Sequence, residues 1–333
     1  MQSMFFNIYT YVAVSWTDYA RTYGEYVSRL KSLGLELREV GRSARDKPIY
    51  AAYAGSGPAV FITAGQHGNE RPGPELMLHF LRDLKTCNFL VKESVLCRIR
   101  YVVVPVVNPD GFDAWQRTNA NHVDPNRNWP AGWGGPGSRP GSCCLICRGS
   151  SPLDQPETRA VYSLLSSESY AIHIDLHSGI EVLAWPPGCA QLGVSRFTEL
   201  YRKLAQRHAE IASKYGITPY DYGNIIERYA DVPPELLAMK IYEACGAIDD
   251  TVDYKLNKPS FVLEISSPYN PTYSALISYY YPRLQAVLAS LAEYAYSTQP
   301  PVATPMILPI LAGAVSAFSS ALYMAFEERK VFK

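Results

Sequence analysis

Four short apolar runs stand out along the chain: residues 59–64 (AVFITA), 99–107 (IRYVVVPVV), 170–176 (YAIHIDL) and 260–265 (SFVLEI). They are short and rich in β-branched residues, and they predict buried strands. Between and after them, residues 73–84, 155–166, 194–215 and 273–296 repeat apolar side chains every three or four positions, which is helical spacing. Pro72 and Pro156 sit near the predicted starts, where the missing N–H would have no intrahelical partner. Strands alternating with helices predict an α/β fold: a mixed, mostly parallel, twisted central sheet between two helical layers. Residues 131–152 are rich in Gly, Pro and Ser and without periodicity, and predict a long surface loop. No internal repeat is present, and no Pro/Ser-containing linker precedes residue 297.

The C-terminal pattern is different. No charged residue occurs between Glu293 and Glu327, and residues 306–326 read MILPILAGAVSAFSSALYMAF. Wound as a helix, that segment would cover roughly 30 Å, about the thickness of a bilayer hydrocarbon core. The expectation is therefore a C-terminal transmembrane helix. Arg329, Lys330 and Lys333 follow it, which would place the tail in the cytoplasm and the main domain outside. A buried C-terminal helix is the alternative. The start, MQSMFFNIYTYVAVSW, is apolar but lacks a basic leader and a clear small-residue cleavage site, so it reads as a remnant signal or anchor. The expected organisation is an N-terminal segment at 1–16, a main domain at 17–297, a linker at 298–305, the membrane helix at 306–326 and a tail at 327–333.

Composition narrows the function classes. With 333 residues, 47% apolar and 19% charged, the chain suffices for one large α/β domain or two small ones and is not disordered over most of its length. Its 31 basic and 31 acidic residues, without a Lys/Arg cluster, give no electrostatic footprint for nucleic acid and favour a small or peptide partner. Seven cysteines, at positions 87, 97, 143, 144, 147, 189 and 245, are too few for a disulfide scaffold but hint at an oxidising compartment.

In open α/β sheets ligands bind beyond the carboxyl ends of the strands, so the polar residues that follow the predicted strands are the candidates for chemistry. His67 and Glu70 follow the first run, Asn108 and Asp110 the second, His177 the third, and Glu264 ends the fourth. Catalytic zinc takes three N/O ligands and keeps one open position, and two His with one Glu is an established set. The strand ends supply that set with one carboxylate to spare. HxxE alone is a weak motif, and a single His is more often a satisfied structural residue; joint placement after strands carries the argument.

The order of TDYARTYGEYVSRLKSLG, EVGRSARDKPIYAAYAG, AGQHGNERPG, NPDGFDAWQRTN, VDPNRNWPAGWG, QPETRAV, IDLHSG and IYEACGAID, ending on the Glu264 strand, resembles the zinc metallocarboxypeptidases: the pancreatic carboxypeptidases A and B and their bacterial and archaeal relatives. No segment resembles the inhibitory prodomain of the pancreatic enzymes. The resemblance implies a peptide hydrolase with one zinc per chain, held by His67, Glu70 and His177, with Glu264 as general base. It implies that Asp124 supports a ligand histidine, that Asn126 and Arg127 bind the substrate's terminal carboxylate, that Arg117 stabilises the oxyanion and that Tyr242 closes over the substrate.

For the side chain of the released residue, the resemblance places the pocket floor a few residues beyond the tyrosine, in a segment that is one residue shorter here. Aligned on the following Asp, Ile248 falls at the floor and favours apolar or aromatic C-termini; a slip of one place brings in Asp249 or Asp250 and favours basic ones. It also implies a disulfide involving one of Cys143, Cys144 and Cys147, while Cys87 and Cys97 either pair or remain thiols. A same-family hydrolase of cell-wall peptides or N-acyl amino acids would share the triad and Glu264. An inactive surface-binding module is the reading from a different class.

Overall fold

The computed structural model describes residues 16–143, 145–226 and 243–298. They lie within the first of two compact units, Met1–Thr298. In chain order the principal elements are α1 (Tyr23–Ser32), β1 (Glu36–Arg42), β2 (Pro48–Gly55), β3 (Ala59–Ala64), α2 (Pro72–Thr86), β4 (Arg100–Val104), α3 (Pro109–Ala114), α4 (Pro156–Ser167), β5 (Ile172–His177), β6 (Val182–Trp185), α5 (Thr198–Lys214), β7 (Asp221–Asn224), α6 (Ile248–Tyr254), β8 (Ser260–Glu264) and α7 (Tyr281–Ser297).

The strands form one eight-stranded mixed sheet in the order β1-β2-β4-β3-β5-β8-β6-β7. Its centre, β4-β3-β5-β8, is parallel and contains the four apolar runs. Antiparallel pairings at β1-β2, β2-β4 and β8-β6 flank it. Alternation along each central strand splits the core in two. Val60, Ile62, Tyr101 and Val103 face a cluster shared with residues of α1, α2, α5 and α7. Phe61, Val102 and Val104 face a second cluster that includes Val161 of α4 and Ile248 and Val252 of α6. Because both faces are covered, β3 and β4 read as continuous apolar runs, whereas β5 alternates Ile172, Ile174 and Leu176 with the buried His173, Asp175 and His177.

The strands outside the centre were not legible. β1 is largely exposed or half-buried, and β6 and β7 have four residues each, too few to establish a period. The predicted helix 273–296 is interrupted by a π turn at Leu276–Tyr280. Pro282 follows, lacks an N–H for an unbroken helix and restarts the α-helix.

The membrane expectation is corrected. Among the described residues no helix is long and apolar enough to cross a membrane, so the fold is an α/β domain with a mixed sheet and no supported transmembrane helix. Segment 306–326 itself lies outside the described residues, as do 1–15 and the segment containing Tyr242. Among the described residues three disulfides are present: Cys87–Cys97, Cys143–Cys147 and Cys189–Cys245.

Candidate metal centre and substrate site

The turn between β3 and α2 carries His67 and Glu70 and is closed by the Glu70 N–H, which donates to the His67 carbonyl (3.1 Å). β5 delivers His177 at its last position, and β8, its parallel neighbour, ends on Glu264 directly opposite. Three ligand-type side chains converge here: His67 Nδ1 lies 2.8 Å from Glu70 Oε1, His177 Nδ1 lies 2.9 Å from Glu70 Oε2, and the two Nδ1 atoms are 3.2 Å apart. All three residues are buried.

The outer ring nitrogens are held by carboxylates, His67 Nε2 by Asp124 (3.0 Å) and His177 Nε2 by Asp175 (2.6 Å). With each Nε2–H donated outward, both Nδ1 lone pairs and the Glu70 carboxylate point at one spot; Arg117 Nη1, 3.3 Å from His67 Nδ1, and the Ser178 N–H, 3.2 Å from Glu70 Oε2, reach its edge, and a divalent cation fits the acceptor set. The spacing suits it, because two nitrogens about 2.1 Å from a tetrahedral zinc stand about 3.4 Å apart. Charge gives the same answer. Burial works against charge at His177, but Asp175 and Glu70 outweigh it and raise its pKa well above the usual range; the spot demands positive charge.

Asp124 is the hub of the next layer. It accepts from His67, from Arg117 Nε (2.8 Å) and from the Asn126 N–H (2.9 Å), and although burial opposes ionisation, Arg117 and His67 hold its pKa well below the usual range. Arg117 Nη1 then faces the centre, 3.6 Å from Glu70 Oε1. Asn126 and Arg127 sit on the 3₁₀ turn that Asp124 caps. Arg127 is oriented by Nε on the Gly137 carbonyl (2.8 Å) and Nη1 on the Asn126 carbonyl (2.7 Å). The Asn126 amide oxygen accepts the Ile248 N–H (3.0 Å).

Glu264 has a buried Oε2 without a hydrogen-bond partner, and burial, then the Glu70 charge, pushes its pKa up to about 7. A carboxylate near neutrality beside a metal-binding set has the properties of a general base.

The structure brings His67, Glu70, His177, Glu264, Arg117, Asp124, Asn126 and Arg127 into one site. Ile248 contributes its backbone N–H there, but its side chain belongs to the second core cluster. The neighbouring acids carry the open polar atoms instead: Asp249 and Asp250 are buried, each with an Oδ2 that has no partner. Burial, then Asp175, raises the Asp249 pKa to about 6, and Arg127 is among the charges it feels. Asn108 and Asp110 are scaffolding: Asn108 caps α3 and donates to the Gln66 carbonyl, and Asp110 accepts the Arg45 N–H.

Sequence reasoning missed two residues at the site. Asp175 is two positions before His177, and in a strand residues two apart share a face, a signal that was present. Tyr269, half-exposed, packs its ring against the Gly179 turn beyond His177, and only the folded loop after β8 brings it there.

A buried two-histidine, one-glutamate centre at the carboxyl ends of parallel strands, beside an unpartnered carboxylate, defines a metallohydrolase-type site on an α/β sheet. The zinc carboxypeptidase family model matches residues 23–283, and the chain belongs to that family. Zinc carboxypeptidase A 1 of Anopheles gambiae is 26% identical over 236 residues, covering 64% of this chain and 54% of that protein. Mouse carboxypeptidase A2 is 28% identical over 253 residues, covering 68% and 56%. The chain thus spans just over half the length of these curated relatives. Among solved structures, bovine thrombin-activatable fibrinolysis inhibitor, in complex with tick carboxypeptidase inhibitor, superposes with a TM-score of 0.70 at 21% identity, covering 85% of this chain and 99% of that one. Carboxypeptidase A from Helicoverpa armigera gives 0.68 at 18% identity, covering 86% and 76%. At these identities the superpositions speak for the fold.

Proposed function

We propose that this chain is a carboxypeptidase that removes the C-terminal residue from peptides or proteins, using zinc held by His67, Glu70 and His177. The observation that carries the reading is the convergence of their three acceptor atoms beside the unpartnered Glu264 carboxylate, with Arg127 and Asn126 flanking them. Zinc at such a site supplies Lewis acidity toward a carbonyl oxygen and makes water more acidic. Glu264 takes the proton from the attacking water and passes it to the departing amine. Arg117, aimed at the centre by Asp124, donates to the developing oxyanion; one such donor is commonly worth about 3 kcal/mol of barrier. Asn126 and the Arg127 guanidinium bind the terminal carboxylate, so position along the peptide selects the bond that is cut.

For the released side chain, the Asp249/Asp250 reading has more support than the apolar floor expected from Ile248. Ile248 is spent on the core, whereas two buried carboxylates with unpartnered oxygens are costly unless a proton or cation meets them. A C-terminal Lys or Arg supplies that cation. The bridges at Cys87–Cys97, Cys143–Cys147 and Cys189–Cys245 fit an oxidising, extracytoplasmic setting for the domain.

The test is release of the terminal residue from N-blocked dipeptides ending in Lys, Arg, Phe, Leu or Ala, with and without a chelator. Chelator-sensitive release, fastest for Lys and Arg, is expected. No release from any of them, or release indifferent to chelation, overturns the reading. Turnover confined to cell-wall peptides or N-acyl amino acids would favour the same-family alternative, and zinc binding without turnover the surface-binding module.

A further inference from the structure

The residues proposed to hold the substrate's C-terminal end lie on two segments outside the sheet, at 126–127 and 249–250, and these meet a third segment at one junction. From residues 243–250, the Gly246 N–H donates to the Ala131 carbonyl (3.0 Å), and the Gly246 carbonyl accepts the Trp129 N–H (2.9 Å). Gly246 approaches so closely that a β-carbon there would stand 2.5 Å from the Arg127 carbonyl oxygen. On the same segment, the Ile248 N–H holds the Asn126 amide (3.0 Å). The third segment enters through Gly188, whose carbonyl accepts the Ala244 N–H (2.7 Å) and whose N–H donates to Asp250 (2.9 Å).

One covalent bond crosses this junction, the Cys189–Cys245 disulfide, which links positions 56 residues apart. Both cysteines are fully buried, and Cys189 Sγ would stand 2.6 Å from a β-carbon placed on Gly132, so the bridge also abuts the 126–136 segment. The other two bridges are local, closing ten residues beside α2 and four residues within the loop after Gly141. His67 and Glu70 are placed by the turn after β3, and His177 and Glu264 by the ends of β5 and β8; Asp124, which accepts from both His67 and the Asn126 N–H, joins this set to the junction.

We propose that the Cys189–Cys245 disulfide is a positioning clamp for the terminal-carboxylate and side-chain subsites, holding Asn126, Arg127 and the Asp249/Asp250 pair in one frame. The inference rests on the carboxypeptidase reading above. Without the bridge, the junction keeps single hydrogen bonds, each worth about 1 kcal/mol net, and the packing of Trp129 and Ile248 in the second core cluster, while the Gly188–Cys189 segment loses its covalent tie to the segment that carries Asp249 and Asp250. Substrate binding loosens while the chemical step on the strands is retained.

The experiment compares wild type with Cys189→Ala/Cys245→Ala, with the space-filling Cys189→Val/Cys245→Ala, and with Cys87→Ala/Cys97→Ala as a control for the loss of a bridge remote from the site. KM, kcat, zinc content and melting temperature are read for each on the blocked dipeptide that wild type cleaves fastest. Expected for both clamp variants is a rise in KM of about tenfold or more, with kcat within about twofold and zinc retained, while the control keeps its KM. An unchanged KM in folded clamp variants overturns the proposal. So does a joint loss of zinc, kcat and affinity, or failure of both clamp variants to fold, which would make the bridge a staple of the fold. If wild type cleaves no blocked dipeptide, the carboxypeptidase reading itself falls, and the clamp with it; active wild type with unaffected clamp variants removes the clamp alone.

Discussion

His177 and Glu264 stand opposite each other in register on the adjacent parallel strands β5 and β8. The second proposed zinc ligand and the proposed base are thus spaced by one backbone ladder, in which neighbouring strands run about 4.8 Å apart. Neither depends on loop conformation for its place, because each closes a paired strand at the centre of the sheet.

Replacing the base isolates its role. Glu264→Gln keeps size and polarity but cannot accept a proton from water, so kcat should fall by about 10²–10⁴-fold with zinc content unchanged. Steady-state kinetics beside metal analysis decides it; a variant turning over at the wild-type rate would place the proton transfer elsewhere.

Asp175 holds the outer nitrogen of His177 and is itself fixed by Thr63 and Gln66. Asp175→Asn should weaken zinc binding by about 10–100-fold, because the ring loses both its orientation and the charge that makes it a better donor. Competition with a chromogenic chelator measures this, and unchanged affinity would show that the carboxylate serves packing alone.

Asp249→Asn should erode preference for basic C-termini. The ratio of kcat/KM for Lys-terminated over Leu-terminated substrates is expected to drop about tenfold or more, since a charged hydrogen bond becomes a neutral one. An unaltered ratio in both Asp249→Asn and Asp250→Asn would restore the apolar reading of Ile248.

Stability should respond to pH through buried groups remote from the metal centre, with opposite signs. Burial lowers the His208 pKa to about 4, so this residue contributes stability that is present above the unfolded value near 6.5 and is lost as pH falls toward 4. Burial raises the Glu75 pKa to about 7, so its contribution is present below the unfolded value near 4.5 and is lost as pH rises through 7. Relative to wild type, His208→Gln should gain on the order of 2 kcal/mol between pH 7.5 and pH 5, and Glu75→Gln a similar amount between pH 5 and pH 8. Denaturant titrations at the three pH values test both, and parallel curves for variant and wild type would refute the assignment.

β3 and β4 were legible because core clusters cover both of their faces, which writes an uninterrupted apolar run into each, whereas β5 sets Ile172, Ile174 and Leu176 on one face and the buried His173, Asp175 and His177 on the other. His67, Glu70, His177 and Glu264 were legible for a related reason: a polar residue directly after such a run stands at the carboxyl end of the sheet. The edge strands and the π turn before Pro282 left no comparable mark, since short or solvent-facing segments carry no period that local sequence can show.

By itself, then, the sequence determined a two-layered apolar core around a parallel centre and a histidine–glutamate set at its strand ends, because burial and strand polarity act through residues near one another in the chain. Tertiary structure alone decided that Ile248 packs into the core while Asp249 and Asp250 keep unpartnered oxygens. It alone decided that Cys189 meets Cys245 across 56 residues, and that Tyr269 lies over Gly179. These are meetings of segments far apart in sequence, set by how the loops pack over the finished sheet, and no local pattern of residues encodes them.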